Sequence, residues 1–302
     1  MRYTFTDNRL TIDPGGSFLK RTVSDFFDQY AQSRRSRYLL IQEKRILLDD
    51  VPVRDAGQII GNAKITVIEK TEEPGWVCAA EPCRVIYNTS LLYIVHKDPG
   101  IIIHGEPDDT SCLMASAAKW QTDNHIQVPV RPIHRLDRDT QGLVFFSKSP
   151  FFQPWFDLQL KDKQIQRRYL AVCYGTLEPG ASFICNEPLG KDRHRNNVYR
   201  VSANGTEART DVTCIARKGP YVLLDCRLHT GRTHQIRVHL NHHGLPIVND
   251  PIYGRPSDDF RNMGLWAESI EYRDPITRKK HRIHDEPADD FTYFQEDQEN
   301  EI

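Results

Sequence analysis

Arg131-Pro-Ile-His-Arg-Leu-Asp-Arg-Asp-Thr-Gln-Gly142, running straight into Leu143-Val-Phe-Phe146, is the stretch on which the reading of this chain turns. It sets two carboxylates, Asp137 and Asp139, among Arg131, Arg135 and Arg138, in a Thr-Gln-Gly turn that feeds a short apolar run of β character. Guanidinium groups beside a carboxylate favour its charged form. A charged, positioned carboxylate can act as a nucleophile or a base. On spacing alone a solvated surface turn fits the same residues equally well. Asp139 reads as the acid that caps the turn.

Outward from this stretch the pattern is mainly β. Short apolar runs of strand character lie at Arg84–Tyr87, Leu91–Val95, Ile101–Ile103, Tyr169–Tyr174, Asp211–Ala216 and Tyr221–Leu228. Helical spacing appears around 111–122, 151–162 and 232–243. Strands follow one another without strict alternation with helices. This predicts an α+β fold, a mixed, mostly antiparallel sheet with flanking helices. Upstream, Phe18, Leu19, Val23, Phe26, Phe27 and Tyr30 follow a helical period, Tyr38–Ile41 suggests a second short helix, and residues 46–53 read as a hairpin around Asp49-Asp50. A strand is expected over Ile60–Ile68. The expected organisation is an irregular lead-in at 1–16, a small two-helix-and-hairpin domain at 17–70, a linker at 71–83, a main domain at 84–280 and an acidic tail at 281–302.

Composition bounds the function. At 302 residues and 39% hydrophobic the chain can bury a full core, and no apolar run reaches the ~18 residues that span a bilayer. The N-terminus lacks the apolar stretch of a secretion signal. The seven cysteines are scattered and odd in number, which suggests reduced thiols in a cytoplasmic setting. Residues 281–302 hold eight acids against Arg282, about −7, so residues 1–280 carry about +6 of the total of −1. A moderately basic body suits a phosphate backbone as partner, and the tail reads as a solvated, mobile end.

Two further segments combine turn residues with charge. Gln166-Arg-Arg-Tyr169-Leu-Ala-Val-Cys-Tyr-Gly175 is a basic approach to a strand. Thr230-Gly-Arg-Thr-His-Gln-Ile-Arg237 is a turn opening a helix, and its donors suit an anionic partner. His134, His234, His239, His242 and His243 invite a metal, but no cysteine or carboxylate is placed in sequence to complete a site, so none is expected.

Together these three segments resemble the RluA-type pseudouridine synthases. His134-Arg-Leu-Asp137-Arg-Asp-Thr-Gln-Gly142 matches the family's His-Arg-Leu-Asp-x-x-Thr-Ser-Gly. Arg167-Arg-Tyr169-Leu-Ala-Val172 and Gly175 match its Lys-x-Tyr strand. Thr230–Arg237 and Pro246–Gly254 match its third motif and the segment after it. Gln141 for Ser, Arg167 for Lys and His96-Lys-Asp-Pro-Gly100 for Asn-Lys-Pro-x-Gly are departures. The resemblance covers about residues 84–280 and implies the pseudouridine synthase fold, isomerisation of uridine in rRNA or tRNA, no cofactor and a monomer. It implies Asp137 as catalytic carboxylate, Arg237 as its ionic partner and Tyr169 as a third catalytic residue, stacked on the flipped base or taking part in proton transfer. His134, Arg135, Arg232, His234 and Gln235 are expected at the substrate. The unit at 17–70 resembles the alpha-L RNA-binding module of ribosomal proteins, through Arg35-Ser-Arg37-Tyr-Leu-Leu-Ile41, with Arg34, Arg35 and Arg37 as RNA contacts. The alternative is an RNA-binding or RNA-folding protein of the same fold without catalysis.

Overall fold

The computed structural model describes residues 1–286 and 289–294. The chain opens with a hairpin, β1 (Arg2–Thr6) and β2 (Arg9–Asp13). Helices α1 (Val23–Gln29) and α2 (Arg34–Gln42) and strands β3 (Ile46–Leu48), β4 (Val51–Pro52) and β5 (Ile65–Ile68) follow. The five strands form one sheet in the order β1-β2-β5-β3-β4. Thr22 opens α1 with a reciprocal capping box: its hydroxyl accepts from Asp25 N, and Asp25 accepts from Thr22 N. Ser33 caps α2 in the simpler way. The turn between β3 and β4 has Asp49 and Asp50 both at positive φ, as a two-residue hairpin with the right twist requires.

The main body runs β6 (Arg84–Asn88), β7 (Leu92–Lys97), α3 (Leu113–Asp123), β8 (Arg131–Pro132), β9 (Gln141–Ser147), α4 (Gln153–Lys161) and β10 (Gln166–Tyr174). It continues with β11 (Ser182–Cys185), β12 (Leu189–Lys191), β13 (Tyr199–Val201), β14 (Thr210–Lys218), β15 (Tyr221–Leu228), α5 (Gln235–His242), β16 (Leu265–Arg273), β17 (Lys280–His284) and α6 (Asp289–Thr292). Its ten-stranded sheet has the order β11-β14-β15-β10-β16-β9-β7-β6, with β17 on β16 and β8 on β9. Every pairing in this sheet is antiparallel except one: β16 meets β9 in parallel, through Trp266 with Gln141 and Ala267 with Gly142. The sheet is thus two antiparallel halves joined at a short parallel seam. Gly142 is required there. Its φ is +112°, and a Cβ would lie 2.4 Å from the Ala267 carbonyl oxygen.

The α+β architecture and the dominant antiparallel sheet are as expected from the sequence, but several local details differ. The lead-in at 1–16 is not irregular: Tyr3, Phe5, Leu10 and Ile12 alternate as a half-buried hairpin does, with Asp7 at positive φ in the turn. The first helix starts only at Val23, because Thr22 caps it, and the strand expected from Ile60 starts at Ile65, after a turn with Gly61 at positive φ. Ile101–Ile103 is not a strand. Its carbonyls are taken by Lys97 Nζ and by the N–H groups of Leu113 and Met114 at the start of α3. The acidic end is not wholly solvated: residues 280–284 form β17, Asp285 is buried, and Phe291 packs in an apolar cluster with Trp266. Residues 295–302 lie outside the described part.

The N-terminal unit does not hang free. Phe18, Phe26, Phe27 and Tyr30 share one continuous core with Phe145, Phe151, Phe152, Trp155 and Tyr272 of the body. Polar groups close the same contact: Gln32 Nε2 donates to Phe151 O (2.6 Å) and Tyr30 Oη to Pro275 O (3.2 Å). Buried Glu69 accepts from Ser149 Oγ and Phe151 N. Residues 71–83, expected as a linker, run along the body with backbone bonds to Gln127, Pro107, Ala115 and Ser116.

Candidate active site

The parallel seam brings the functional segments together. Asp137 stands in the loop between β8 and β9, just before the seam. Tyr169 lies on β10, where the pairing with β16 shifts register between Arg168 and Tyr169, a bulge that re-aims the side chain. Arg237 comes from α5. All three line one small cavity of about 70 Å³, with Arg135, Leu136, Arg167, Arg232, His234 and Ile236 around them.

At its centre is a carboxylate–guanidinium–carboxylate chain. Arg237 Nη1 donates to Asp137 Oδ2 at 3.0 Å. On its far side Nε and Nη2 donate to Asp250 Oδ2 and Oδ1 at 2.7 and 2.8 Å, a bidentate fork. Asp250 also accepts the N–H groups of Ile252 (2.9 Å) and Tyr253 (3.1 Å). Burial alone would push the Asp250 carboxyl up, but the Arg237 bonds and charge outweigh it and leave it below its ordinary value. Arg237 also lies over the Tyr253 ring, 5.3 Å from its centre. The arginine side chain is 3% exposed and Asp137 26%, so a buried, anchored cation holds one oxygen of a carboxylate that faces the cavity. Among the described residues Asp137 Oδ1 accepts no hydrogen bond from the protein.

His234 adds orientation. Tyr199 N donates to Tyr253 Oη (2.7 Å), which also shares a hydrogen bond with His234 Nδ1 (2.9 Å). That bond fixes the ring with Nε2 3.9 Å from Asp137 Oδ2. Burial holds this ring's pKa below its ordinary value despite the nearby Asp137. The Tyr169 phenol is buried and its pKa raised, chiefly by burial, with Arg167 opposing and Asp137 adding to the rise, so the hydroxyl keeps its proton at neutral pH.

The other expected residues divide. Arg135 and Arg232 face the cavity and the wider groove beside it, and Arg232 Nε donates to Glu207 O. Two residues expected at the substrate, His134 and Gln235, line the groove and the cavity but give their hydrogen bonds to the protein. His134 is buried, its Nε2 accepts from Phe145 N (3.3 Å), and burial lowers its pKa to about 3. Gln235 uses both ends of its amide: Oε1 accepts from Thr230 Oγ1 and Arg232 N, and Nε2 donates to Arg209 O and Thr210 Oγ1. It pins the turn before α5. Asp139 was expected to cap its turn, but its side chain makes no hydrogen bond among the described residues; its charge bears on Lys97. Arg34 and Arg35 are exposed on α2, whereas Arg37 is engaged with Asp28 (2.5 Å) and Gln32 O.

Three residues that shape the site were given no role from the sequence. Lys97, wholly buried, donates to the carbonyls of Asp98, Ile101 and Arg138 at 2.8–2.9 Å and so ties the β7 end to the Asp137 loop. Burial lowers its pKa to about 8. Asp250 anchors Arg237. Arg167 lines the cavity beside Tyr169, its guanidinium over Gly231, where a Cβ would lie 3.0 Å from it. The signal for Lys97 and Asp250 lay inside quoted motifs to which no role was given. The fold also corrects the ground on which a metal was set aside. It does bring a cysteine and a carboxylate to His243, the residue just after α5: ligand atoms of Cys185, Glu187 and His243 lie within 4.8 Å of one another. His239, however, is used up on Thr210 and Glu187 O.

Comparison with known proteins gives the class. A family model described as RNA pseudouridylate synthase matches residues 91–242. The chain is 32% identical over 249 residues to the ribosomal large subunit pseudouridine synthase D of Nitrosomonas europaea, covering 81% of this chain and 71% of that one. It is 29% identical over 266 residues to an uncharacterized RNA pseudouridine synthase, YlyB, of Bacillus subtilis, covering 84% and 88%. The fold is similar to that of human RNA pseudouridylate synthase domain containing 1, with a TM-score of 0.58 at 20% identity over 68% of this chain and 84% of that one. The protein is therefore an RNA-modifying isomerase, one that converts uridine to pseudouridine. It belongs to the RNA pseudouridylate synthase family.

Proposed function

We propose that this enzyme isomerises a uridine in structured large-subunit rRNA, with Asp137 as the catalytic carboxylate. The observation that carries the role of Asp137 is the Arg237 bond: one oxygen is held by a buried, doubly anchored cation and the other is left open to the cavity. A uridine in a folded RNA must be extruded to reach this cavity, at a cost of a few kcal/mol that phosphate contacts offset. Arg135, Arg167 and Arg232 are arginines at the mouth. Asp137 then attacks the anomeric carbon or removes the neighbouring ribose proton. Either way the N1–C1′ bond breaks, the uracil turns, C5 bonds to C1′, the C5 proton is lost and N1 takes one up. Tyr169, still protonated, lies against the base. The ribosomal target follows the names of several relatives. A tRNA target is the competing reading.

Arg34 and Arg35 are the RNA contacts of the N-terminal unit, and Arg37 instead stabilises α2. The seven cysteines are all free, which suits a cytoplasmic enzyme, and we assign a monomer. Pseudouridine mapping in rRNA and tRNA from cells lacking the gene, complemented with wild type or Asp137→Asn, tests the whole reading. One rRNA site is expected to vanish and return only with wild type. Its return with Asp137→Asn would remove Asp137 from the chemistry.

A further inference from the structure

Beside the Asp137 cavity lies a much larger groove of about 1190 Å³, and the two are continuous: Arg135, Leu136, Arg167, Gly231 and Arg232 line both. The groove has two kinds of wall. Arg131, Arg135, Arg138, Lys161 and Lys163 make it basic. Trp76, Ile102 and His104 give it an apolar, aromatic wall over buried Ile103 and Met114. Trp76 comes from the connecting segment between the two units, and its ring meets His104 edge to face at 6.3 Å. His104 is exposed, and Trp76 is half-buried, packed against the core on one side and lining the groove on the other. Nothing in the reaction at Asp137 uses them.

Cationic groups with aromatic faces beside them are what unpaired RNA requires, phosphate on the one and base on the other. We propose that Trp76 and His104 form a stacking subsite for an unpaired nucleobase flanking the target uridine, with Arg135 taking the phosphate between the subsite and Asp137. Burial and the charge of Arg135 lower the His104 pKa, so at neutral pH its ring offers an uncharged face. A uridine enters the cavity only when its strand is opened. A second base held on the platform keeps that strand from closing, which makes the subsite part of how the extruded state is retained.

This inference rests on RNA as substrate, and the test separates it from the choice of RNA. Full-length protein is crosslinked at long wavelength to unmodified large-subunit rRNA transcript carrying 4-thiouridine, and the attached peptides are mapped. Single-turnover rates on the unsubstituted transcript are measured against enzyme concentration. Crosslinks are expected on the peptides with Trp76 or His104, in Asp137→Asn protein as in wild type. Trp76→Leu keeps an apolar filler and removes the ring; it is expected to need about tenfold more enzyme for half-maximal rate, with a smaller change at saturation, while Trp76→Phe stays near wild type. Equal affinity of Trp76→Leu and wild type, or equal damage from Leu and Phe, would overturn the subsite, the latter leaving Trp76 a packing role only. The same crosslinks from a tRNA transcript but not from rRNA would change the target and uphold the subsite.

Discussion

Asp250 and Glu69 are both buried carboxylates, 4% and 3% exposed, and the chain treats them in opposite ways. Asp250, behind the active site, has the whole Arg237 fork and two backbone N–H groups, and its pKa falls below the ordinary range. Glu69, where the N-terminal unit meets the body, has only Ser149 Oγ and the Phe151 N–H, with Arg45 and Arg131 acting from a distance. Burial pushes it up to about 7. Equal burial therefore does not decide charge; a guanidinium in the same pocket does. The chain keeps a fixed negative charge behind Asp137 and leaves a proton-dependent group at the contact between its two units.

The largest effect tests the charged side of that contrast. Asp137→Asn is expected to reduce pseudouridine formation to background while the melting temperature stays within a few degrees, because Asp137 sits at the rim. Isotope release from 5-tritiated RNA checks the rate. Next comes Arg237→Ala, which strands Asp250 and frees Asp137. It should cost about 3–5 kcal/mol of stability as well as activity, read by urea unfolding, and a fully stable variant would refute the anchoring role. Glu69→Gln tests the other side. The folded pKa of Glu69, about 7, lies above its unfolded 4.5, so its contribution is fully present below pH 4.5 and is lost as pH rises through 7. Glu69→Gln should remove that loss, leaving the variant more stable than wild type by up to about 3 kcal/mol at pH 8 and not at pH 4. Equal pH profiles would show that Glu69 is not the titrating group. The smallest effect is expected from Arg34→Glu with Arg35→Glu: weaker RNA affinity and a salt dependence shallower by about two phosphate contacts. Charge reversal is preferable to truncation here, because removing residues 1–75 would expose Phe151, Phe152 and Phe145 from the shared core.

The same contrast shows how far the sequence could be read. That Asp137, Tyr169 and Arg237 belong together was legible through the resemblance, because each sits in a short motif that the family shares; spacing and charge alone left a surface turn equally open. The mostly antiparallel body was legible from its β-type runs. Gln235 and His134 sit in the same motifs, yet their hydrogen bonds go to the protein, since a motif records proximity to the site and not a side chain's partners. Ile101–Ile103 has the composition of a strand, but its carbonyls are committed to Lys97 and α3, a tertiary contact that no local pattern carries. The core shared by the N-terminal unit and the body was hidden for a similar reason: nothing near Phe151 and Phe152 in sequence says that half of their cluster comes from residues 10–67.

The parallel seam bears on how the enzyme is made. Gln141 and Gly142 find their partners Trp266 and Ala267 only after β10, β14, β15 and α5 have been synthesised. Closing so distant a pair is slow relative to local hairpins. The Asp137 loop therefore gains its final geometry only when nearly the whole body is present.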